Sequence, residues 1–483
     1  MLFNSYIFIF VFLPSVLMLY YACNRQGRYS QADWVIILAS YLFYGYTNPW
    51  YVILLVFSTS FNYMIYVLMS RKMNKWICIS GIVFNLLVLG YFKYYNFFID
   101  NLNHWLNSDF TLKRIALPLG ISFFTFQQIS FLVDAYKGEC KEIRLREYLL
   151  FVSFFPQLVA GPIVNHQEMI PQFRDSSRRQ FDSCFFAKGI AYFVIGLAKK
   201  VLLADLLAKP VEVFFQYDAV LKPDSWNVLL VAICYSMQLF LDFSGYCDMA
   251  KGIGYLFHIE IMDNFDKPFW AVGVRDYWKR WHISLGRFFT KYVFIPLGGS
   301  RKGKFKTCRN AFIVFALSGL WHGAEWTFVL WGILHGIGYI YDYLLEPVLV
   351  KVPIFIRRFA TFLFVSLAFL GFRSENLSQM MRLYKAFFSG GISQPLVELT
   401  SCFQSGVVHR AFKVFGVGAT QADGLVFYGI IGVILGYLFF GKSTKEIITG
   451  IRYKYVSAIS LALVFILCVL KLSRVSVFLY FNF

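Results

Sequence analysis

The chain has 483 residues, 58% of them hydrophobic and 15% charged, and a mean hydropathy of +0.57. A water-facing surface needs more polar coverage than that, so an ordinary soluble multidomain protein is excluded. The formal charge of +19 does not point to nucleic acid, because Lys and Arg fall in short clusters between apolar runs, the pattern of inner-face loops in a polytopic membrane protein.

Apolar windows of roughly 20 residues, long enough to cross about 30 Å of hydrocarbon, recur along the whole length. No separate soluble domain of useful size remains between them. The stretch MLFNSYIFIFVFLPSVLMLYYACNR lacks a basic n-region and a small-residue cleavage site, so it reads as a retained first span near 4–22. Further spans are expected near 33–47, 50–69 and 76–98, with Asn48-Pro49 breaking the helix between the second and third. Residues 117–138 and 149–163 are apolar but interrupted by Gly, Pro and polar positions, as in broken or re-entrant helices packed inside protein. Spans near 185–204 and 226–256 follow.

Residues 265–297 carry Arg275, Lys279, Arg280, His282 and Arg287 among Trp270, Trp278 and Trp281. That mixture suits an amphipathic interfacial helix or a cavity wall. Later spans are expected near 310–345, 355–372, 424–440 and 453–470. The nine cysteines show no C-x-x-C pair, which argues against a disulfide framework or a metal site.

The loop GGSRKGKFKTCRN (298–310) holds five basic residues and no acid, so the helix after it runs outward. His322 stands twelve residues beyond Asn310, roughly 18 Å at about 1.5 Å per residue, near the bilayer midplane. An imidazole there is either satisfied by a neighbouring carbonyl or marks a functional site. Gly319, Gly323 and Ala324 leave room for a close helix or a slender substrate. Glu325 is placed to orient the ring or to pair with an Arg. On a continuous helix His335 points about 140° away from His322, which leaves His282 as the better second histidine.

The segments FSGYCDMAKGIGYLF (243–257), NFDKPFWAVGVRDYWKRWHISLGRFFTKYVFIPLGGSRKG (264–303), RNAFIVFALSGLWHGAEWTFVLWGILHG (309–336) and LPLGISFFTFQQISFLVDAYKG (117–138) together resemble the membrane-bound O-acyltransferase (MBOAT) family. The likeness is strongest to its bacterial alginate and peptidoglycan O-acetylation branch, with the teichoic-acid D-alanylation proteins as cousins. The resemblance implies an all-α integral membrane fold, about 11–13 transmembrane or re-entrant helices around a central funnel. It implies one domain over 1–483, with a catalytic core at 113–345 and a C-terminal tail at 473–483. The W-H-G histidine of the family falls on His322 and the R-W-H-I-S histidine on His282.

The resemblance also implies acetyl-CoA as cytoplasmic acyl donor, no bound cofactor, and an exported SGNH-type acetyltransferase as partner beyond an inner membrane. The terminal FLYFNF matches a relative's F-x-Y-x-x-F motif that is proposed to carry the acyl group, here on Tyr480. A tyrosine ester keeps much of a thioester's transfer potential, since a phenol of pKa about 10 leaves nearly as well as a thiol of about 8.5. Basic residues before the last span put the C-terminus outside. An interfacial aromatic anchor is the alternative reading of the same tail.

Acyl transfer needs a base for the acceptor hydroxyl, and a neutral His fits. No G-x-S-x-G elbow and no convincing Cys nucleophile is evident. Trp321, Glu325, Asp242, Asp248, Arg301 and Lys302 are the substrate-contact candidates, the last two through coenzyme A phosphates. For Asp242 and Asp248 helix-to-helix hydrogen bonding is an equal reading. The rivals are D-alanyl transfer, a transporter or flippase with His322 as a proton-coupling residue, and a scaffold for a separate acetylase.

Overall fold

The computed structural model describes residues 1–140, 142–404, 406–451, 454–472 and 478–479, and among them every regular element is a helix or helical turn. Six of these helices are long and apolar enough to cross a membrane: Phe8–Arg25, Trp50–Arg71, Lys75–Leu106, Ser225–Leu256, Ile354–Arg373 and Ala419–Phe440. Shorter helices pack between them, so the protein is an all-helical multi-pass membrane protein.

Helix Ser225–Leu256 is the central strut, with 89% of its apolar window buried by the rest of the chain. Its apolar residues are spread around every face, which is what a helix surrounded by other helices requires, and its few charged side chains are paired. Helix Ser183–Ala198 lies against it through facing glycines. A Cβ on Gly189 would stand 2.8 Å from the Gly252 carbonyl, and one on Gly196 would stand 2.5 Å from that of Gly245. Small residues here let two backbones approach closely, the usual driver of helix contact where lipid removes the hydrophobic gain.

The segment 117–138 holds helix Ile121–Tyr136, buried along nearly its whole length, followed by Leu145–Ser153. These interrupted helices are packed within protein, as their composition requires. The stretch 265–297 is broken into helices Val274–Arg280 and Ile283–Phe289, continued by a widened turn at Thr290–Phe294.

One expectation needs correction. Residues 310–345 are not a continuous helix: Lys304–His322 stops at His322, Gly323 is extended, and Trp326–Leu344 returns alongside. The hairpin closes through Gly319 and Gly332, where a Cβ on Gly319 would lie 2.3 Å from the Phe328 carbonyl. A Cβ on Gly323 would strike the Phe328 ring at 2.2 Å. The small residues around His322 therefore serve a close helix crossing. The apolar run hides the break because both arms and the turn are equally apolar.

Candidate active site

A helix that ends inside protein leaves its last carbonyls without intrahelical partners. At the end of Lys304–His322 these are taken by helix Lys75–Leu106, whose widened turn at Gly90–Tyr94 turns two polar side chains toward them. Tyr94 Oη donates to the Leu320 carbonyl at 2.8 Å, and Lys93 Nζ donates to the carbonyls of Trp321 at 2.5 Å and His322 at 3.0 Å. A cation is also favoured electrostatically at a helix C-terminus.

The His322 ring is buried in an aromatic cage, with centroids of Trp321, Trp331 and Phe372 at 4.9, 5.0 and 5.2 Å. The His282 ring lies 6.4 Å from it, between Phe243 at 4.9 Å and Trp321 at 6.0 Å. His282 is fully buried and has φ of 46°, a left-handed conformation that costs a non-glycine residue about 1 kcal/mol or more. Asn264 holds that turn: its carbonyl accepts the Ile283 N–H and its side-chain oxygen accepts the Ser284 N–H, both at 3.0 Å.

His335 enters the same cluster from the returning arm. Its ring is 4.8 Å from Trp331, and its Nδ1 accepts from Trp278 Nε1 at 3.2 Å. The 140° separation expected on a straight helix does not apply, because the helix is broken between the two histidines.

Two cavities lie near the pair, one lined by His322 itself and the other by Ile283 and Ser284, which follow His282. His322, Trp321 and Lys93 line a cavity of about 30 Å³ with residues 117–123 and Val159, room for a water molecule or two. A larger cavity of about 570 Å³ is walled by the amphipathic stretch and by Ser318, one turn before His322; its size is that of a small-molecule site. Between them stand Phe126 and Phe288, stacked at 4.0 Å, with Trp321 stacked on Phe126 at 5.4 Å.

The larger cavity is lined by Arg275, Lys279, Arg287 and Lys291. Lys291 bridges Asp134 and Glu139, each at 2.9 Å. Its hydrogen bond holds the Glu139 carboxyl below the usual carboxylate range. Burial works against the Lys291 charge, but the two carboxylates outweigh it and keep that ammonium above its ordinary value.

Of the sequence candidates, the structure brings His322, His282 and Trp321 together. Asp242 and Asp248 lie on Ser225–Leu256, bonded to Lys200 at 2.5 Å and Lys199 at 2.7 Å, where the helix of those lysines widens into a looser turn. Glu325 precedes Trp326–Leu344 in the exposed turn, with no capping bond from its side chain, so it is not on the face of a continuous helix beside His322. Arg301 and Lys302 are exposed in the 298–303 loop and are not among the residues lining the larger cavity. Tyr480 lies outside the described residues, but two residues before it are described. Phe478 is buried with its ring 4.8 Å from Tyr246, and the Leu479 N–H donates to Asp242 Oδ2 at 3.0 Å.

Sequence reasoning missed Lys93, Asn264 and Lys200. Lys93 carried a readable signal, as the only charge in the apolar run VLGYFKYYNFF (88–98), and the rule that singled out His322 applies to it equally. Asn264 and Lys200 act through partners far away in sequence.

A multi-pass helical membrane protein with a buried histidine pair, one of the two on a cavity, has the form of a membrane-embedded acyltransferase. The model of the MBOAT, membrane-bound O-acyltransferase family, matches residues 36–340, and the chain belongs to that family. It is 38% identical to a peptidoglycan O-acetyltransferase of Helicobacter pylori, over 80% of this chain and 79% of that protein. It is 38% identical to a probable alginate O-acetylase of Pseudomonas aeruginosa, over 84% of this chain and 78% of that protein. A teichoic acid D-alanyltransferase of Streptococcus thermophilus is 30% identical over 46% of this chain and 56% of its own length. The chain is an acyltransferase of the membrane, and these names support O-acetylation as its chemistry.

Proposed function

We propose that the protein takes acetyl from acetyl-CoA on the inner face and passes it outward for O-acetylation of an envelope or secreted polysaccharide such as peptidoglycan or alginate. A separate exported SGNH-type transferase completes delivery, the membrane is the inner membrane, and the C-terminus is outside. The observation that carries the reading is the buried pair His322 and His282, 6.4 Å apart, with His322 on the small cavity and Ile283 and Ser284, which follow His282, on the larger one. The thioester donor occupies the larger cavity, with the phosphates of coenzyme A near Arg275, Lys279 and Arg287. His322 acts as general base on the accepting hydroxyl, and His282 and Trp321 shape its surroundings. The catalytic core is residues 113–345.

The small cavity is too narrow for an acetyl thioester, so transfer requires the Phe126, Phe288 and Trp321 rings to part. The acceptor is Tyr480 of the tail. Seating of Phe478 and Leu479 against Tyr246 and Asp242 supports that role, since it ties the tail to the strut one residue from Phe243, which packs on His282. The larger share of the chain covered by O-acetylating relatives favours acetyl over D-alanyl.

The test is incubation of inverted vesicles with radiolabelled acetyl-CoA. Label on the tail that disappears in His322→Ala and Tyr480→Phe is the expected result. Full labelling of the tail in both variants, or solute flux without labelling, overturns the reading.

A further inference from the structure

Outside the histidine pair, the loop after Ile121–Tyr136 brings a second set of reactive groups together. Cys140 Sγ lies 3.2 Å from His166 Nε2, and His166 Nδ1 lies 3.7 Å from Asp134 Oδ2. His166 and Asp134 are buried, whereas Cys140 is half-buried. A nucleophile in contact with a base that faces a carboxylate is the arrangement that activates thiols and hydroxyls for acyl transfer. Other groups hold the carboxylate as well, since Tyr292 Oη donates to Asp134 Oδ2 at 2.8 Å and Lys291 Nζ forms an ion pair with Oδ1 at 2.9 Å. Tyr292, Lys291 and Asn165, the residue before His166, all line the 570 Å³ cavity. The triad therefore stands just behind the wall of the cavity assigned to the donor.

Burial, helped by Asp134 and Glu139, pushes the Cys140 thiol up to about 12. At rest it is a protonated thiol, inert to oxidants that need a thiolate. It then needs a base to react; the neighbouring His166, which burial holds below the ordinary histidine value, takes the proton as the sulfur–carbon bond forms.

We propose that Cys140 is a second acyl-accepting nucleophile, charged by thioester exchange with His166 as its base. The inference rests on the reading that a thioester donor occupies the larger cavity. Sγ attacks the acetyl carbonyl carbon, and its proton passes to His166 Nε2. The new Sγ–C bond forms as the donor C–S bond breaks, and His166 returns the proton to the departing thiolate. The products are S-acetyl-Cys140 and free coenzyme A. One thioester replaces another, so the step is reversible and keeps the acetyl group at full transfer potential on the donor side.

The test uses the purified full-length protein with radiolabelled acetyl-CoA, quenched in acid and mapped by peptide mass spectrometry, in the His322→Ala background so that onward transfer is blocked. Expected is hydroxylamine-labile acetyl on the Cys140 peptide, absent in Cys140→Ser and formed about 100-fold more slowly in His166→Asn. Labelling of exposed Cys184 should be the same in all three. Absence of Cys140 label in a preparation whose wild type turns over acetyl-CoA overturns the proposal and leaves the donor reading standing. If the wild type does not use acetyl-CoA at all, the donor reading fails, and a short thioester, acetyl-N-acetylcysteamine, then tests the thiol alone. Faster labelling of Cys140 than of Cys184, dependent on His166, sustains the proposal; equal or slower labelling ends it.

Discussion

The backbone N–H of Leu479 donates to the carboxylate of Asp242 at 3.0 Å, tying the end of the chain to the middle of helix Ser225–Leu256 across 237 positions. Asp242 also accepts from Lys200 at 2.5 Å, and Lys200 reaches Asp205 at 3.0 Å, so the tail docks on a buried charge cluster. Asp242→Leu removes both bonds and leaves Lys200 with Asp205. Breaking such a buried pair costs about 3–5 kcal/mol, so the double variant Lys200→Met/Asp242→Leu, more stable than either single, is the proper comparison. In that double variant, acetyl delivered to polysaccharide should fall at least about tenfold, the equivalent of about 1.4 kcal/mol, while hydrolysis of the donor persists. Parallel assays of polysaccharide acetyl and released thiol check this. Equal loss of both activities would tie the cluster to the histidine site and not to the tail.

Lys93 satisfies the last two carbonyls of the helix that presents His322. Lys93→Met leaves both buried and unpaired, at about 1–3 kcal/mol each. The variant should unfold at lower temperature and turn over at least about tenfold more slowly, since the break at Gly323 is no longer pinned. Tyr94→Phe removes only the bond to the Leu320 carbonyl and should cost about 1 kcal/mol, with turnover nearly intact. Thermal unfolding and turnover measured on both variants separate stability from positioning.

The helical membrane architecture is legible in composition, because twenty-residue apolar windows have few other homes. His322 is legible for the converse reason, as an ionisable ring in such a window. The break at Gly323 is not, since the turn is as apolar as the helices it joins and only the glycines at 319 and 332 hint at a hairpin. Pairings such as Asp242 with Leu479, or Cys140 with His166, leave no local signal. Each partner looks ordinary alone, and only the packing of separate helices brings them into contact.

Phe288 and Phe126 stack at 4.0 Å between the two cavities, with Trp321 completing the plug. Phe288→Ala should connect the cavities and admit water with the donor. Donor hydrolysis without acceptor should then rise several-fold, while acetyl reaching polysaccharide falls. The stability cost is about 3–5 kcal/mol at most, and Phe288→Leu should show a smaller effect of the same sign. Released thiol in the absence of acceptor is the measurement, and an unchanged rate in both variants would remove the plug from the mechanism.

The clip between Lys291 and Glu139 gives the wall of the larger cavity a pH dependence whose sign is fixed. The Lys291 hydrogen bond depresses the Glu139 carboxyl in the folded protein, whereas the unfolded carboxyl titrates near about 4.3. A depressed carboxyl contributes stability fully above its unfolded value and loses it as pH falls through the folded one. The loop carrying Cys140 should therefore stay clipped through neutral pH and loosen only below about pH 4. Hydrogen-exchange protection of residues 137–140, corrected for intrinsic rates, should fall over that acid range in the wild type. Glu139→Gln, which keeps a weaker hydrogen bond and has no charge to lose, should show lower protection at neutral pH and a flatter acid profile. If the variant and the wild type trace the same curve, the carboxylate charge is not what holds the loop, and the Gln167 bond to residue 139, 3.0 Å long in the wild type and still accepted by glutamine, accounts for the unchanged protection.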